Sequence, residues 1–106
     1  MSLEEGLRRL LQGGRDWQRA PVKDSPGLFV VKAPAYRGRP ASLIVEINPV
    51  GEDGAPTKRR GLMLRSRSEL EAFRQLLSNK KLDALMDALE KVNPKTEGSG
   101  EEELEI

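Results

Sequence analysis

Apolar residues recur along this chain at two different spacings, and the changes of spacing divide the chain into helices and strands. At the start the spacing predicts a helix from residue 3 to about residue 12, with one face formed by Leu3, Leu7, Leu10 and Leu11. Ser2-Leu3-Glu4-Glu5 is a capping box, in which a hydroxyl and a carboxylate satisfy free amides at a helix start. Gly13-Gly14 ends the predicted helix.

Stretches rich in β-branched residues follow and predict antiparallel strands. The first covers residues 28–32, and residues 42–48 carry the strongest strand pattern in the chain. After a turn, residues 57–65 return as a third strand, and a short strand around residues 16–22 can add a fourth. The expected fold is α+β: a small curved antiparallel sheet of three to four strands with an N-terminal helix and C-terminal helices, the last forming a dimerisation seam.

Helical spacing returns after residue 65. Ser66-Arg67-Ser68-Glu69 is a second capping box, and its helix carries an apolar stripe that is expected to pack on the sheet: Leu70, Phe73, Leu76 and Leu77. A third helix is predicted from about residue 80 to residue 92, with apolar residues spaced as in a coiled coil. The two helices can also be a single one, because residues 78–81 contain neither Gly nor Pro.

The leucine seam of the last helix has two interpretations. It can pack within its own small domain, or it can pair with its copy in another subunit. We favour the second, because the earlier apolar stripes suffice for one face of so small a sheet, and small domains often gain apolar burial by self-association. A homodimer or higher homo-oligomer is expected through Leu82, Leu85, Met86 and Leu89.

Charge is distributed unevenly along the chain. The net formal charge is +1, but residues 1–94 hold 17 Lys and Arg against 12 Asp and Glu, while residues 95–106 hold one Lys against five Glu. The composition predicts a single domain over residues 1–94 and a disordered acidic tail over residues 95–106. Such a pairing suits a protein that binds a polyanion and regulates how tightly it does so.

Several functional classes are disfavoured by residues that the chain lacks. There is no Cys and no His, which removes thiolate chemistry, the commonest metal ligand and the commonest general base. Neither an enzyme, nor a cofactor, nor a metal site is expected. No apolar run reaches the length of a membrane span and the N-terminus lacks signal-peptide features, so a cytoplasmic protein is expected. The absence of Cys and the high charge are typical of thermophiles.

The largest group of candidate binding residues is a cluster of cations on the third predicted strand. Period-two alternation predicts Met63 and Arg65 on one face and Arg60 on the other. Single-stranded nucleic acid is bound by cations that follow its phosphates and by side chains that stack on its bases. With the Gly/Pro-rich loop at residues 33–40 and the region around the only tryptophan, the candidate nucleic-acid-binding residues are Arg15, Trp17, Lys32, Tyr36, Arg37, Arg39, Lys58, Arg59, Arg60, Met63 and Arg65.

These aromatic and basic residues also have structural interpretations. Phe29 lies in an apolar strand, so a place in the core is favoured. Tyr36 lies in a loop between cations, and this position favours neither a binding role nor a structural role over the other. Trp17 can cap the core, but Arg15 and Arg19 on either side favour a groove. The basic run at residues 58–60 can be a solvated strand end.

This organisation resembles the ThermoDBP family of single-stranded-DNA-binding proteins from thermophilic archaea. The resemblance implies a fold other than the OB fold, binding to single strands with little sequence preference through a basic and hydrophobic cleft, and assembly through the C-terminal helices. The curved strands followed by Arg60-Gly61-Leu62-Met63-Leu64 and a Ser-capped helix also resemble the whirly-type transcriptional coactivators. Those proteins bind single strands on a dimeric sheet surface.

The expected function is therefore sequence-independent binding of single-stranded DNA or RNA by a homo-oligomer. The acidic tail can compete with phosphates for the basic cleft, or its end, Leu104-Glu105-Ile106, can dock partner proteins. The alternative is a protein-interaction adaptor that binds no nucleic acid, because a leucine-bearing helix and an acidic peptide serve such a protein equally well.

Overall fold

The structure, a computed structural model, describes residues 2–94 and has the α+β fold that the sequence predicts. Its elements in chain order are α1 (Leu3–Gly13), β1 (Arg19–Pro21), β2 (Leu28–Ala33), β3 (Ser42–Ile47), β4 (Leu62–Leu64), α2 (Arg67–Leu77) and α3 (Lys80–Val92). The strands form an antiparallel sheet in the order β1-β2-β3-β4. The predicted acidic tail, residues 95–106, lies outside the described residues.

The chain divides into two compact units, and the division falls within α2, between Leu70 and Glu71. The first unit holds α1 and the sheet. The second holds most of α2 and all of α3.

The starts of the helices follow from local capping, and the serine caps of α1 and α2 lie where the sequence predicts them. At α1 the hydroxyl of Ser2 accepts from the Glu5 amide at 3.1 Å, and the Glu5 carboxylate accepts from the Ser2 amide at 2.9 Å. At α2 the hydroxyl of Ser66 accepts from the Glu69 amide at 3.1 Å. The side chain of Asn79 caps a new helix, α3, so α2 and α3 are two helices rather than one.

Strand pairing assigns each residue of the sheet to one of two faces. Phe29, Glu46 and Met63 are paired across β2, β3 and β4 and share one face, while Val30 and Val45 share the other. We call the first the basic face, because arginines surround it, and the second the apolar face. Phe29 is only 7% exposed, which confirms its predicted place in the core.

The apolar face carries a groove of about 520 Å³. Leu7 of α1 and Leu70 at the start of α2 line it together with strand residues that include Leu28, Val30, Val45, Ile47 and Leu64. Leu70 thus borders the same groove as the strands, and its packing on the sheet stays a prediction. The packing of Phe73, Leu76 and Leu77 on the sheet stays a prediction.

The third predicted strand is shorter than expected. The sequence pattern predicts pairing over residues 57–65, but only Leu62–Leu64 pair with β3. Residues 58–61 bond instead to two buried side chains, Glu46 and Asn48. Because this segment is not a strand, period-two alternation fails there, and Arg60 lies beside Met63 rather than on the opposite face.

Candidate nucleic-acid interface

A buried carboxylate lies at the centre of the basic face. Glu46 of β3 is 0% exposed, and its carboxylate accepts four hydrogen bonds. Nε and Nη2 of Arg19 donate at 2.7 and 3.1 Å, Nδ2 of Asn48 at 3.1 Å, and the backbone nitrogen of Gly61 at 2.8 Å. A buried carboxylate is tolerated where donors and an opposite charge replace water in this way.

These donors decide the protonation state of the carboxyl group. Burial by itself raises the pKa of Glu46, because it penalises the charged form. The hydrogen bonds from Gly61 and Asn48, together with the hydrogen bond and positive charge of Arg19, outweigh burial and hold the pKa of Glu46 below its usual value. Glu46 is therefore ionised at neutral pH, and Arg19 balances its charge.

The same network fixes the backbone of residues 58–61, which we call the basic loop. The buried side chain of Asn48 donates to the Lys58 carbonyl oxygen at 2.8 Å and accepts from the Lys58 amide at 3.1 Å. Nη2 of Arg19 also donates to the Arg59 carbonyl oxygen at 3.2 Å. Gly61 approaches β3 so closely that a Cβ atom there would collide with the Ile47 carbonyl oxygen. Glycine is therefore required at this position.

Trp17 lies beside the basic face with an arginine over its ring. The guanidinium carbon of Arg60 is 5.2 Å from the centre of that ring, a cation–π distance. Trp17 has a φ of 62°, which is rare for a bulky residue, and its amide donates to the Lys32 carbonyl oxygen at 2.7 Å. Its side chain is nevertheless exposed, so the backbone holds Trp17 while leaving it open to a ligand.

A first groove of about 280 Å³ lies next to Trp17. Its lining residues are Trp17, Arg19, Val31, Glu46, Arg60 and Met63. The walls thus combine an aromatic ring, a thioether and two guanidinium groups. Flat and polarizable groups can stack on a nucleobase, and guanidinium groups can bind phosphate.

A second groove, of about 390 Å³, shares Trp17 with the first. Its lining includes Tyr36, Arg39 and Arg65. Tyr36 and Arg39 pair by reciprocal backbone hydrogen bonds of 3.0 and 2.9 Å, which close a tight hairpin. The two residues at its tip, Arg37 and Gly38, have φ values of 49° and 80°, as a two-residue hairpin turn requires.

Tyr36 is available to a ligand in this arrangement. Its side chain is 64% exposed, and the guanidinium carbon of Arg37 lies 5.2 Å from the centre of its ring. The hairpin therefore presents an aromatic ring with a cation against it, as Trp17 does with Arg60.

Most of the arginines around the two grooves have no carboxylate partner in the part of the chain that the structure describes. Among residues 2–94, Arg19 is paired with Glu46, but Arg37, Arg39, Arg60 and Arg65 take part in no salt bridge. Their positive charge is therefore uncompensated by local ion pairs. Such a surface attracts an anionic polymer.

Six of the predicted binding residues line the two grooves, namely Trp17, Tyr36, Arg39, Arg60, Met63 and Arg65. Four more are exposed but line neither groove: Arg15, Arg37, Lys58 and Arg59. The structure thus brings a majority of the predicted set together around one aromatic residue.

Lys32 lies apart from this set. It pairs with Leu43 and so belongs to the apolar face, and its Nζ donates to the Gly14 carbonyl oxygen at 2.9 Å. Only 9% of the residue is exposed. Its charge thus lies just past the C-terminal end of α1, where a cation is favourable. We leave Lys32 out of the proposed interface for this reason.

Sequence reasoning did not assign a role to Glu46 or Asn48. The available signal was a carboxylate within the apolar run of residues 42–48, which has to find a partner if it is buried. The partner is Arg19, 27 residues earlier in the chain, and the sequence contains no short motif that connects the two.

The predicted seam on α3 is largely exposed. Leu85, Met86 and Leu89 are 58%, 49% and 45% exposed, and Leu82 is half-buried. An apolar stripe in this state has surface to bury, and pairing with a second copy stays a prediction.

Neither a metal site nor a membrane-spanning helix is found within the described part of the chain. Comparison with protein-family models, with curated proteins and with solved structures found no match for this chain. The resemblance to the ThermoDBP family therefore rests on the organisation of the sequence alone.

Proposed function

We propose that this protein binds single-stranded DNA or RNA, without sequence preference, on the basic face of its sheet. The observation that carries the proposal is the pair of grooves that share Trp17. Each combines an exposed aromatic ring with at least one arginine that has no carboxylate partner among the described residues, namely Arg60 in the first groove and Arg39 and Arg65 in the second. Rings that stack on bases and cations that follow phosphates are the two requirements for binding a single strand.

A single strand suits these grooves better than a duplex. In a duplex the faces of the bases are covered by their neighbours, and Trp17 and Tyr36 would have nothing to stack on. In an unpaired strand every base offers such a face, whatever its identity. Stacking therefore supports binding that tolerates any sequence.

Assembly and the acidic tail complete the proposal. The exposed apolar stripe of α3 supports a homodimer or higher homo-oligomer, which would place two or more basic faces on one strand. The tail, residues 95–106, would compete with phosphates for the basic face or recruit protein partners. It lies outside the described residues, and its sequence alone supports this part.

Fluorescence anisotropy of a labelled oligonucleotide tests the proposal. Anisotropy should rise with added protein, fall steeply with salt, and be reversed far better by unlabelled single strands than by duplex. Trp17→Ala and Tyr36→Ala should each weaken binding by about tenfold, the scale of one lost stacking contact. Trp17→Phe retains a ring and should bind nearly as well. Absence of binding at low salt would refute the proposal.

The adaptor hypothesis remains the second candidate because apolar side chains are exposed on both C-terminal helices, including Leu76, Leu77 and Leu85. It predicts that a protein partner is recovered after nuclease treatment. It also predicts that Trp17→Ala leaves this recovery unchanged.

A further inference from the structure

We propose that Glu46 is the positioning residue of the basic face, so that removing this negative charge weakens, rather than strengthens, binding to a polyanion. The inference rests on the proposed function, because it concerns the same site. Glu46 would hold the residues of the site in place without itself touching the nucleic acid.

Glu46 connects three separate parts of the chain. Its carboxylate accepts from Arg19 of β1, from Asn48 beyond the end of β3, and from the amide of Gly61 in the basic loop. Arg19 and Asn48 in turn bond to the carbonyl oxygens of Arg59 and Lys58. The hydrogen bonds that hold the loop backbone therefore all go to Glu46 or to a residue bonded to it.

The loop held in this way carries the arginine that lies on Trp17. Arg60 immediately precedes Gly61, whose amide donates to Glu46 at 2.8 Å, and its guanidinium carbon lies 5.2 Å from the centre of the Trp17 ring. Arg19, on the other side of the carboxylate, lies over Phe29 at 5.3 Å. Both guanidinium groups of the first groove thus depend on Glu46 for their positions.

Glu46 has no capacity left for a ligand. Its side chain is fully buried and already accepts four hydrogen bonds, so it would not accept from a base. At long range its negative charge can only repel phosphate. Simple electrostatics therefore predicts that neutralising Glu46 tightens binding, whereas a positioning role predicts the opposite.

Glu46→Gln separates the two expectations. Glutamine keeps the shape, but whichever way its amide is turned, the nitrogen and its two donors face a donor of Arg19. We expect Glu46→Gln to bind a labelled single-stranded oligonucleotide about tenfold more weakly, the scale of one lost charge-assisted contact. Glu52→Gln, which removes an exposed carboxylate from the turn after β3, is the matched control and should bind as tightly as the wild type or tighter.

Arg19→Lys provides a second variant in case Glu46→Gln folds poorly. It leaves the net charge unchanged but loses the two-pronged hydrogen bond to Glu46 and the contact with the Arg59 carbonyl oxygen. It should weaken binding as well. The slope of log affinity against log salt should become shallower by about 0.7 for each phosphate contact that is lost.

Fluorescence of the unliganded protein tests the positioning role of Glu46 without requiring that the protein binds nucleic acid. Trp17 is the only tryptophan, so a displaced Arg60 should change the emission of Glu46→Gln and leave that of Glu52→Gln unchanged, whether or not nucleic acid binds. Absence of oligonucleotide binding by the wild type would refute the proposed function. Wild-type binding with Glu46→Gln as tight as Glu52→Gln, or unchanged Trp17 emission in a folded Glu46→Gln, would overturn the positioning role.

Discussion

At the scale of single residues, the basic face is built from arginines that lie against aromatic rings. Arg60 lies on Trp17, Arg37 on Tyr36 and Arg19 on Phe29, at 5.2 to 5.3 Å from the ring centres. The first two pairs are exposed, while Phe29 is buried. Composition and neighbouring residues in the sequence indicated Trp17 and Tyr36 as candidates. The pairing of Arg60 with Trp17 could not be predicted, because it depends on the path of the basic loop.

The buried carboxylate of Glu46 gives the protein a specific acid sensitivity. Its folded-state pKa is lowered, so its contribution to stability is complete above its unfolded-state pKa of about 4.3 and is lost as pH falls through the lower folded value. At pH 7 we expect Glu46→Gln to lower the free energy of unfolding by about 2 kcal/mol, because it disrupts a charged, buried hydrogen-bond network.

Urea unfolding of the wild type and Glu46→Gln at pH 7 and at about pH 3 checks this prediction. The difference in the free energy of unfolding should shrink at the lower pH, because the unfolded wild type takes up a proton there that the folded carboxylate binds less readily. An equal difference at both pH values would contradict it.

At the scale of elements, the sequence predicted those boundaries that depend on residues close together in the chain. α1 begins at its capping box, and α3 begins and ends at asparagine caps, so residues next to one another in the chain set these boundaries. β4 is different. Its predicted N-terminal half forms the basic loop, because side chains distant in the chain supply the hydrogen bonds that a strand partner would otherwise provide.

The close approach of the basic loop to β3 makes Gly61 irreplaceable. Gly61→Ala would put a Cβ atom against the Ile47 carbonyl oxygen, and the loop or the strand would have to move. We expect a loss of about 1–3 kcal/mol in the free energy of unfolding, as for other overpacked sites. Thermal or urea denaturation measures this loss.

Gly13→Ala is the matched control for this prediction. A Cβ atom at Gly13 meets nothing within 4 Å, and the residue lies at the end of α1. Its stability should be unchanged or slightly higher. Equal stability of the two variants would contradict the proposed close packing at Gly61.

At the scale of the whole molecule, most of the positive charge and the exposed leucines of the C-terminal helices lie in different parts of the chain. The stretch from Arg15 to Arg67 holds 11 cations against five acids and includes both grooves, whereas the helices after it are close to neutral and carry exposed leucines. This order follows from the sequence alone. The sequence could not predict which cations gather around Trp17, because that depends on strand register and on the Glu46 network.

The neutral helices provide the prediction on assembly. Replacing Leu85 and Leu89 by Lys places two charges in the proposed seam of α3, and we expect the oligomer to dissociate to monomers. Sedimentation velocity measures the change. Asp87→Lys, on the same helix outside the seam, should leave assembly intact. A wild-type protein that is monomeric at micromolar concentration would contradict the seam.

The tail provides the prediction on regulation. Replacing Glu101, Glu102, Glu103 and Glu105 by Gln keeps the length of the chain but removes most of the tail's negative charge. If the tail competes with phosphates, single-strand affinity should rise by roughly threefold at low salt, and the gain should disappear at high salt. Unchanged affinity in the anisotropy assay would contradict competition.

The emission of Trp17 during titration with an unlabelled single-stranded oligonucleotide is the most direct test of nucleic-acid binding at the two grooves. As the only tryptophan of the chain, Trp17 reports from the wall shared by the two grooves. Binding of a single strand at Trp17 predicts quenching that saturates at low salt, reverses as salt is added, and is far weaker with duplex of the same length. Oligonucleotide binding that leaves Trp17 emission unchanged, or no binding at low salt, would contradict it.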